Sequence, residues 1–468
     1  MNFDQEQGIE LAQFAVDQAL QAGADEAAAH LEIFHHLYFR FAKNHMIQNM
    51  EKNPVTLTLA VSIGKKECAL SMSGYDRDSI RTLARKCVEN SKLFFDNEEH
   101  LPPVSGSRYR HVNALDPAII DLNPREIAAK VKTICTASQQ KNLEAFGTLR
   151  KFHGLRCIAN SSDTRTAYEW TKMGCSVTAK TPDGTGSGRE EQEVYFVKQL
   201  QCQEILEKAM ATASRSHHPV SLEPGDYTVI LAPAAAAAYL TFILFALDSR
   251  MVEEGRSVFS ARNNGSGPAH LDERCLFSKE LRLSSLVDDS DYPVSPFNPT
   301  FSFDGRSGQG MCSNLFSNGL PTRNTTFIEN GSIQDLFYSY YWATQKKRKP
   351  IGHPGLMLFE AADGPVSVQK MIENTARGLY VSSFWYIRFV DPNNLLLTGL
   401  TRDGTFLIEN GSLTQPIKNL RFNESPFLSL GKIKAIGEPE LRRLWFQQVL
   451  MPAVKIDDFT FSSISDAI

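Results

Sequence analysis

A repeated segment constrains the fold of this chain more than any other feature of its sequence. The first copy covers residues 322–333 and the second covers residues 401–413, and both end in Glu-Asn-Gly-Ser followed by Ile or Leu. In each copy Asn-Gly lies between β-forming residues, a sequence typical of a hairpin closed by a type I′ turn. Two copies are too few for a solenoid. They therefore indicate one large antiparallel β structure, a barrel or a sandwich, formed partly by duplication.

The first 110 residues alternate between helix and strand signals. Apolar residues lie on one helical stripe that Gly23 closes, namely Ile9, Ala12, Val16 and Leu20. Two β-rich runs, residues 55–61 and 68–72, are separated by Gly64-Lys65-Lys66 and predict a hairpin. A second amphipathic helix is predicted to begin at Asp76 or Asp78.

A Pro-Pro pair at residues 102–103 marks a candidate boundary. Beyond it, Asn123, Pro124 and Glu126 have the spacing of a helix N-terminus with a capping box. Strands are predicted near residues 155–160 and 175–179.

After residue 222 strands and turns dominate. Residues 227–231 predict a buried strand, and residues 234–247 predict a helix of unbroken apolar character. A second helix is predicted over residues 438–450. The fold class is therefore α+β, with an N-terminal mixed region and a large antiparallel β domain. We expect domains at residues 1–110, 111–221 and 222–468.

Composition argues against several classes of function. The net charge of −4 gives no basic footprint for nucleic acid. The longest apolar stretch, residues 234–247, is shorter than the ~20 residues that a membrane helix needs. The N-terminus is acidic and has no signal-peptide pattern. Eight scattered cysteines without a CxxC pair predict reduced, mostly buried thiols. We expect a cytoplasmic protein that binds neither DNA nor membranes.

Several segments, in a consistent order and spacing, resemble the TldD/PmbA metallopeptidase family. The resemblance is densest beyond residue 222 and rests on residues 158–161, 222–227, 301–304, 319–323, 398–411 and 420–425. It implies an N-terminal α+β region, a C-terminal β-rich pseudo-barrel, and a dimer with a peptide channel. In this family the TldD-type subunit binds zinc through an HExxxH helix and a later cysteine. The PmbA/TldE-type subunit lacks these ligands and assembles with the catalytic subunit to cleave extended peptides.

The resemblance places the HExxxH motif on the helix after the strand at residues 227–231. In that register the first His, the Glu and the second His correspond to Thr241, Phe242 and Ala246, and no cysteine follows Cys312. None of these side chains can bind zinc or act as a base. The sequence thus predicts a PmbA/TldE-like member with no catalytic residue and no metal of its own, the zinc belonging to a TldD-like partner.

The histidines offer no replacement for the motif. The doublets at residues 35–36 and 217–218 are expected to point their side chains apart and to have structural or surface roles. A zinc site assembled from distant residues is the alternative.

Substrate-binding residues are proposed among the polar side chains of the family segments: Asp304, Arg323, Arg402, Asp403, Arg421 and Asn423. The alternative for each is that it caps a turn or ties hairpins together. The favoured function is a non-catalytic subunit that binds extended peptide by strand addition and pairs with a TldD-like subunit or with itself. A stand-alone hydrolase on the same fold and a non-proteolytic scaffold are the two alternatives. Whether the chain is itself an enzyme stays open at this stage.

Overall fold

A computed structural model describes residues 4–260, 277–287, 289–297, 315–317, 319–351, 355–444 and 448–465. Within these ranges the strands form three sheets, one in the N-terminal half and two in the C-terminal half.

The N-terminal half is one long antiparallel sheet covered by helices. Its elements are α1 Gln5–Gln21, β1 Glu26–Ala42, β2 His45–Lys52, β3 Val55–Ile63, β4 Lys66–Ser73, α2 Arg77–Ser91, α3 Pro117–Asp121, α4 Pro124–Gln140, β5 Glu144–Asn160, β6 Arg165–Lys180, β7 Ser187–Val194 and α5 Cys202–Arg215. The strand order is β4-β3-β1-β5-β6-β7, with β2 also paired to β1, so β7 ends the sheet.

Local signals placed these elements well. Asp76 caps α2, and Asn123 forms the predicted capping box of α4 with Glu126. The predicted hairpin is β3 and β4. Leu20 is the exception, because its side chain is 37% exposed. The buried face of α1 contains the predicted Ala12 and Val16 and extends through Leu11, Ala15 and Ala19, which turns Leu20 away from the sheet.

Strand pairing crosses the expected boundary near residue 110. Strand β1 pairs with β5 over fourteen successive positions, from Ala28↔Asn160 to Phe41↔Gly147. Residues 1–110 and 111–221 therefore contribute to the same sheet. The division into domains at 1–110, 111–221 and 222–468 stays a prediction.

The C-terminal half contains two sheets. Its elements are β8 Gly225–Leu231, α6 Pro233–Leu240, α7 Ile243–Ala246, α8 Ser249–Glu253, β9 Leu281–Leu286, β10 Thr325–Glu329, β11 Ser332–Ile333, α9 Tyr340–Gln345, β12 Leu356–Ala361, α10 Val368–Glu373, β13 Arg377–Asp391, β14 Leu396–Glu409, β15 Ser412–Pro416, β16 Leu420–Glu424, α11 Pro426–Gly431, β17 Ile433–Ile436, β18 Glu440–Arg443, β19 Gln448–Met451 and β20 Val454–Ile464.

Five of these strands close into a barrel, in the order β13-β8-β20-β16-β14 and back to β13. The other sheet has the order β11-β10-β9-β12-β19-β18, so β18 ends it. The predicted fold class is confirmed. Most pairs are antiparallel, but β8 with β13 and β12 with β19 are parallel.

Both repeat copies form the predicted hairpins. Asn330 and Gly331 have φ of 53° and 75°, and Asn410 and Gly411 have φ of 49° and 76°. These left-handed pairs are what a type I′ turn requires. The two copies lie in different sheets, β10–β11 in the six-stranded sheet and β14–β15 in the barrel sheet.

Two helix predictions are wrong. The helix expected over residues 234–247 breaks after Leu240, because Thr241 Oγ1 donates back to the Ala237 carbonyl at 2.6 Å and the next turn is tighter. The helix expected over residues 438–450 is replaced by β18 and β19, which pair with each other as antiparallel strands. There the neighbouring strand β12 overrides local propensity by pairing with β19.

Helix α6 packs against the inner face of the barrel. The Tyr239 ring lies edge-on to Phe384, Phe422 and Phe459 at centroid distances of 5.5–6.0 Å. Its hydroxyl is 2.8 Å from Ser429 Oγ, so the one polar atom of this buried ring has a partner.

None of the helices in the described ranges is both long and apolar enough to cross a bilayer.

Candidate functional site

A cavity of about 290 Å³ lies where the three sheets meet, and we refer to it as the junction cavity. Strand β7 comes from the N-terminal sheet, β18 from the six-stranded sheet, and β13 and β14 from the barrel. Its main lining residues are Arg189, Glu190 and Glu191 of β7, Ala234, Ala237 and Ala238 of α6, Trp385 of β13, Arg402 and Asp403 of β14, and Arg442 and Arg443 of β18.

Helix α6 forms one wall of this cavity because its side chains are small. Pro233 starts the helix at a position where its missing N–H costs nothing. Ala234, Ala237 and Ala238 follow at the spacing that puts side chains on one face. Methyl groups on that face leave room between the helix and strand β7.

A second and larger cavity of about 510 Å³ adjoins the first, and we call it the acidic groove. The two share Glu190, Glu191 and Arg442. Its charged lining consists of five carboxylates, Glu190, Glu191, Glu204, Asp291 and Glu440, and two cations, Lys208 and Arg442. The negative field reaches Tyr380, where burial first and the carboxylates of Glu190 and Glu440 next raise the pKa to about 12.

Ion pairs of Arg442 connect the strands that line the two cavities. Arg442, only 8% exposed, donates to carboxylate oxygens of both Glu190 and Glu440. Burial alone would lower the pKa of its guanidinium, but these two carboxylates outweigh burial and raise it. Arg442 therefore joins a strand of the C-terminal half to a strand of the N-terminal half.

A buried carboxylate of β7, Glu193, lies two residues after Glu191. Its oxygens are 3.0 Å from Arg150 Nε, 3.4 Å from Arg443 Nε and 4.0 Å from Lys172 Nζ. Burial would raise its pKa, but the three cations outweigh burial and lower it. Glu193 thus stays ionised and serves as a structural anion rather than as a proton donor.

Two of the six predicted substrate-binding residues line the junction cavity. The Arg402 guanidinium lies 4.6 Å from the centre of the Trp385 ring, the range of a cation–π contact. Asp403 is 7% exposed, has φ of 53°, and accepts a hydrogen bond from Ser187 Oγ at 3.0 Å. Its carboxylate thereby ties β14 to the start of β7.

Three of the other four, Arg323, Arg421 and Asn423, do not line this cavity. Arg421 and Asn423 project outward from β16, donating to Thr398 Oγ1 at 3.5 Å and Ser462 Oγ at 3.2 Å. Arg323 reaches the Lys349 carbonyl at 3.5 Å. Asp304 lies outside the described residues. Arg323, Arg421 and Asn423 thus make contacts that link neighbouring segments, and the substrate-binding role of all four residues stays a prediction.

Sequence reasoning missed most of the charged lining, in particular Glu190, Glu191, Arg442 and Arg443. A signal existed in Arg-Glu-Glu at residues 189–191 and Arg-Arg at residues 442–443, which are charged runs in β-forming surroundings. Their partnership was invisible because the two runs are some 250 positions apart in the chain.

The positions that the resemblance assigns to HExxxH do not fit a zinc ion. Thr241 is 2% exposed and its hydroxyl is used by the Ala237 carbonyl. The Phe242 ring packs edge-on to Phe389 at 5.2 Å. Ala246 is buried beside a cavity of only about 30 Å³, which has room for one or two water molecules and not for a peptide.

Aspartate 248, the nearest carboxylate lining that small cavity, caps α8 by accepting from the Met251 amide at 2.8 Å. Burial raises its pKa. No catalytic step can be derived through a metal at these positions.

Histidines 217 and 218 do not point apart as expected. Their rings stack with centroids 3.6 Å apart, just beyond the end of α5. Asp183, in the turn between β6 and β7, lies beside them, with His217 Nε2 3.0 Å from its Oδ2. Hydrogen bonds from Thr181 first, and from His217 and Thr185, hold the pKa of Asp183 well below its usual range.

The fold and the cavity lining define the class of protein. The chain is a two-part α+β protein in which Thr241, Phe242 and Ala246 lie where the family resemblance expects the zinc-binding motif of a metallopeptidase. A family model described as the PmbA/TldA metallopeptidase C-terminal domain matches residues 224–463, which is just over half of the 468 residues. The chain belongs to the TldD/PmbA metallopeptidase family.

Solved structures share this fold over nearly the whole chain. TldE from Thermococcus kodakarensis matches with a TM-score of 0.81 at 14% identity, covering 97% of this chain and 100% of that one. A protein described as a candidate modulator of DNA gyrase from Bacteroides thetaiotaomicron matches with a TM-score of 0.80 at 16% identity, covering 99% and 100%. One so described from Thermotoga maritima matches with a TM-score of 0.79 at 13% identity, covering 97% and 99%. At these identities the likeness establishes the fold. No curated protein matches the chain.

Proposed function

We propose that this chain is a non-catalytic, PmbA/TldE-like subunit that binds extended peptides and supports proteolysis by a zinc-bearing TldD-like partner. One observation carries the proposal. At the helix positions where the family resemblance expects His, Glu and His, the chain has Thr241, Phe242 and Ala246, and all three are engaged in packing or backbone contacts.

The arrangement of strand edges supports peptide binding. Strands β7 and β18 each end the described order of their sheets, and both line the junction cavity and the acidic groove. An edge strand presents main-chain N–H and C=O groups to which an extended peptide can add as a further strand. Trp385, which is half exposed, and the Arg402 guanidinium supply side-chain contacts beside these edges.

The electrostatics give no support to a hydrolase of another kind. A carboxylate with a raised pKa beside the junction cavity, able to act as an acid or a base, would favour such an enzyme. Glu193 has a lowered pKa, which suits a fixed counter-ion. Asp248 has a raised pKa but faces the cavity of about 30 Å³, which is too small for a substrate.

We place the complex in the cytoplasm. The six cysteines in the described ranges are unpaired, and five of them are buried, as expected for a reducing compartment.

The test is peptide hydrolysis by the purified full chain, by an HExxxH-bearing homologue, and by the two together after co-expression. We expect no cleavage of an unstructured peptide by this chain, and chelator-sensitive cleavage by the complex. A complex whose HExxxH glutamate is replaced by glutamine is the matched control and should be inactive. Chelator-sensitive cleavage by this chain alone would overturn the proposal. Sedimentation of the chain alone and of the mixture separates a homodimer from a heterodimer.

A further inference from the structure

Three metal-ligating side chains converge at a place unrelated to α6. Asp183 lies in the turn between β6 and β7, and His217 and His218 follow the last turn of α5. One donor atom from each lies within 4.8 Å of the other two. Among the residues that the structure describes, this is the one group of three or more His, Cys, Asp or Glu side chains whose donor atoms lie this close together.

The spacing of the donor atoms matches a four-coordinate ion. Ligands placed ~2.1 Å from a tetrahedral zinc ion are about 3.4 Å from one another. His217 Nε2 lies 3.0 Å from Asp183 Oδ2, and His218 Nδ1 lies 4.0 Å from the same oxygen. These two distances bracket the ideal value. Because the His218 side chain is 75% exposed, it has solvent in which to turn out of the stack and toward the ion.

The backbone around the cluster is held in place by its own hydrogen bonds. Thr181 Oγ1 donates to Asp183 Oδ1 at 2.6 Å, which orients the carboxylate. The His218 amide donates to Thr185 Oγ1 at 3.3 Å, which links the two segments. His218 itself has φ of 55°, a conformation that costs energy for a residue with a Cβ.

We propose that Asp183, His217 and His218 bind one divalent ion of the zinc class, with water completing the coordination. Two imidazoles and a carboxylate suit zinc, nickel or copper and disfavour magnesium or calcium, which prefer all-oxygen sites. The ion clamps the β6–β7 turn to the end of α5. The ion site lies on elements other than α6 and α7. The proposed non-catalytic role therefore does not depend on whether an ion binds here.

A chain of hydrogen bonds connects the proposed ion site to the junction cavity. Ser216, directly before His217, donates to the Ser187 carbonyl at 2.9 Å and accepts from the Ser187 amide at 3.0 Å. Ser187 Oγ in turn donates to Asp403, which lines the cavity. An ion bound at the cluster therefore fixes the segment that positions this carboxylate.

The experiment is calorimetric titration of zinc chloride into the chelator-treated, tag-free full chain. We expect one zinc per chain. His217→Ala and His218→Ala should each weaken zinc binding strongly. Loss of a residue that only hydrogen-bonds to a metal ligand typically weakens metal binding by roughly 10–100-fold, and loss of a ligand itself should exceed that. Both residues are on the surface, so circular dichroism should show an unchanged fold. His35→Ala is the matched control, because His35 also pairs with a carboxylate, Glu51 at 2.8 Å, but without a third ligand.

Equal zinc affinity in the wild type and in the double variant His217→Ala/His218→Ala would overturn the proposal. So would an equal loss in His35→Ala, which would mean scattered surface binding. Titration with magnesium chloride should give no comparable heat, and magnesium binding as tight as zinc binding would contradict the ligand assignment. Peptidase activity is not a readout here, so failure of this site and failure of the proposed function remain distinguishable.

Discussion

At the scale of single residues, the charges buried between the two halves carry the largest energetic consequence. Glu193 is 7% exposed and is the shared counter-ion of Arg150, Lys172 and Arg443. Removing one member of a buried ion group leaves the others without compensation, which costs more than the pair itself contributes.

Substitution Glu193→Gln should therefore destabilise the protein by about 3 kcal/mol or more. The measurement is the shift of the urea and thermal unfolding midpoints. Glu98→Gln is the control, because Glu98 forms an ion pair of similar length with Lys65 at 2.8 Å but both side chains are exposed. That variant should change stability by less than about 1 kcal/mol. Equal effects of the two substitutions would contradict the structural role of Glu193.

The same residue predicts a dependence on pH. Because the pKa of Glu193 is lower in the folded protein than in the unfolded chain, its stabilisation is complete at neutral pH. This stabilisation is lost as the pH falls below about 4.3, the pKa of a glutamate in an unfolded chain, and then through the lower pKa of Glu193 in the folded protein. The difference in unfolding midpoint between wild type and Glu193→Gln should shrink over that window. A difference that stays constant down to the acid limit would count against the lowered pKa.

Trp385 is the side chain through which we expect the junction cavity to hold peptide. Trp385→Ala should weaken the binding of an unstructured peptide by roughly tenfold, the cost of losing an aromatic contact of about 1.4 kcal/mol. Tyr386→Ala is a close control. Tyr386 is the next residue, is 62% exposed, and lies 4.3 Å from the Arg388 guanidinium, yet it does not line the junction cavity. Fluorescence anisotropy of a labelled peptide measures both, and equal losses would argue against this cavity as the peptide site.

At the scale of elements, the hairpins depend on glycines whose φ is positive. Gly411, in the turn between β14 and β15, has φ of 76°, and a Cβ there would lie 2.7 Å from the Glu373 carbonyl oxygen. Gly64, in the turn between β3 and β4, has φ of 56° with nothing within 4 Å of such a Cβ.

These two glycines allow backbone strain to be separated from steric clash. Gly64→Ala should cost roughly 1–2 kcal/mol, the penalty of a left-handed conformation for a residue with a Cβ. Gly411→Ala should cost more, because the Glu373 carbonyl at the end of α10 must also move. The measurement is the unfolding midpoint of each variant. A cost for Gly411→Ala no larger than that for Gly64→Ala would mean that the turn relaxes without disturbing Glu373.

The sequence predicts those elements whose ends depend on neighbouring residues. The caps at Asp76 and Asn123 and the Asn-Gly turns were predictable because each depends on neighbours within four residues. The break after Leu240 was not, because an alanine-rich apolar run favours a continuous helix and only Thr241 signals a bend. The sequence does not predict strands β18 and β19, because β19 pairs with β12, which lies far away in the chain.

The candidate site divides in the same way. Arg402 and Asp403 were identified through a repeated family segment, and they do line the junction cavity. The charged wall opposite them depends on an ion pair between side chains of β7 and β18, and no local sequence pattern reports that contact. The stacking of His217 on His218 was also hidden, since it depends on a positive φ at His218.

At the scale of the whole molecule, polar contacts join the two halves at several places. Gln448 Nε2 donates to the Glu193 carbonyl at 2.9 Å, and Arg110 Nη2 donates to the Val294 carbonyl at 2.7 Å. Arg442 adds the buried link from β18 to Glu190 of β7. Because β7 and β18 are also the strand edges of the proposed peptide site, a change that loosens the contacts between the two halves should also change the shape of that site.

Arg442→Gln should therefore open the junction locally before it unfolds the barrel. Without the guanidinium, Glu190 and Glu440 repel each other across the acidic groove. We expect amide hydrogen exchange in β7 and β18 to become at least about tenfold faster, equivalent to a loss of about 1.4 kcal/mol in local opening free energy. Exchange in β14 and β16 should not change. Arg282→Gln is the matched control, since Arg282 also bridges two carboxylates, Glu329 and Glu360, but within a single sheet and 43% exposed. If Arg442→Gln accelerates exchange in the barrel strands as much as in β7 and β18, the junction is not a separate cooperative unit, and peptide binding there would have to involve the barrel as a whole.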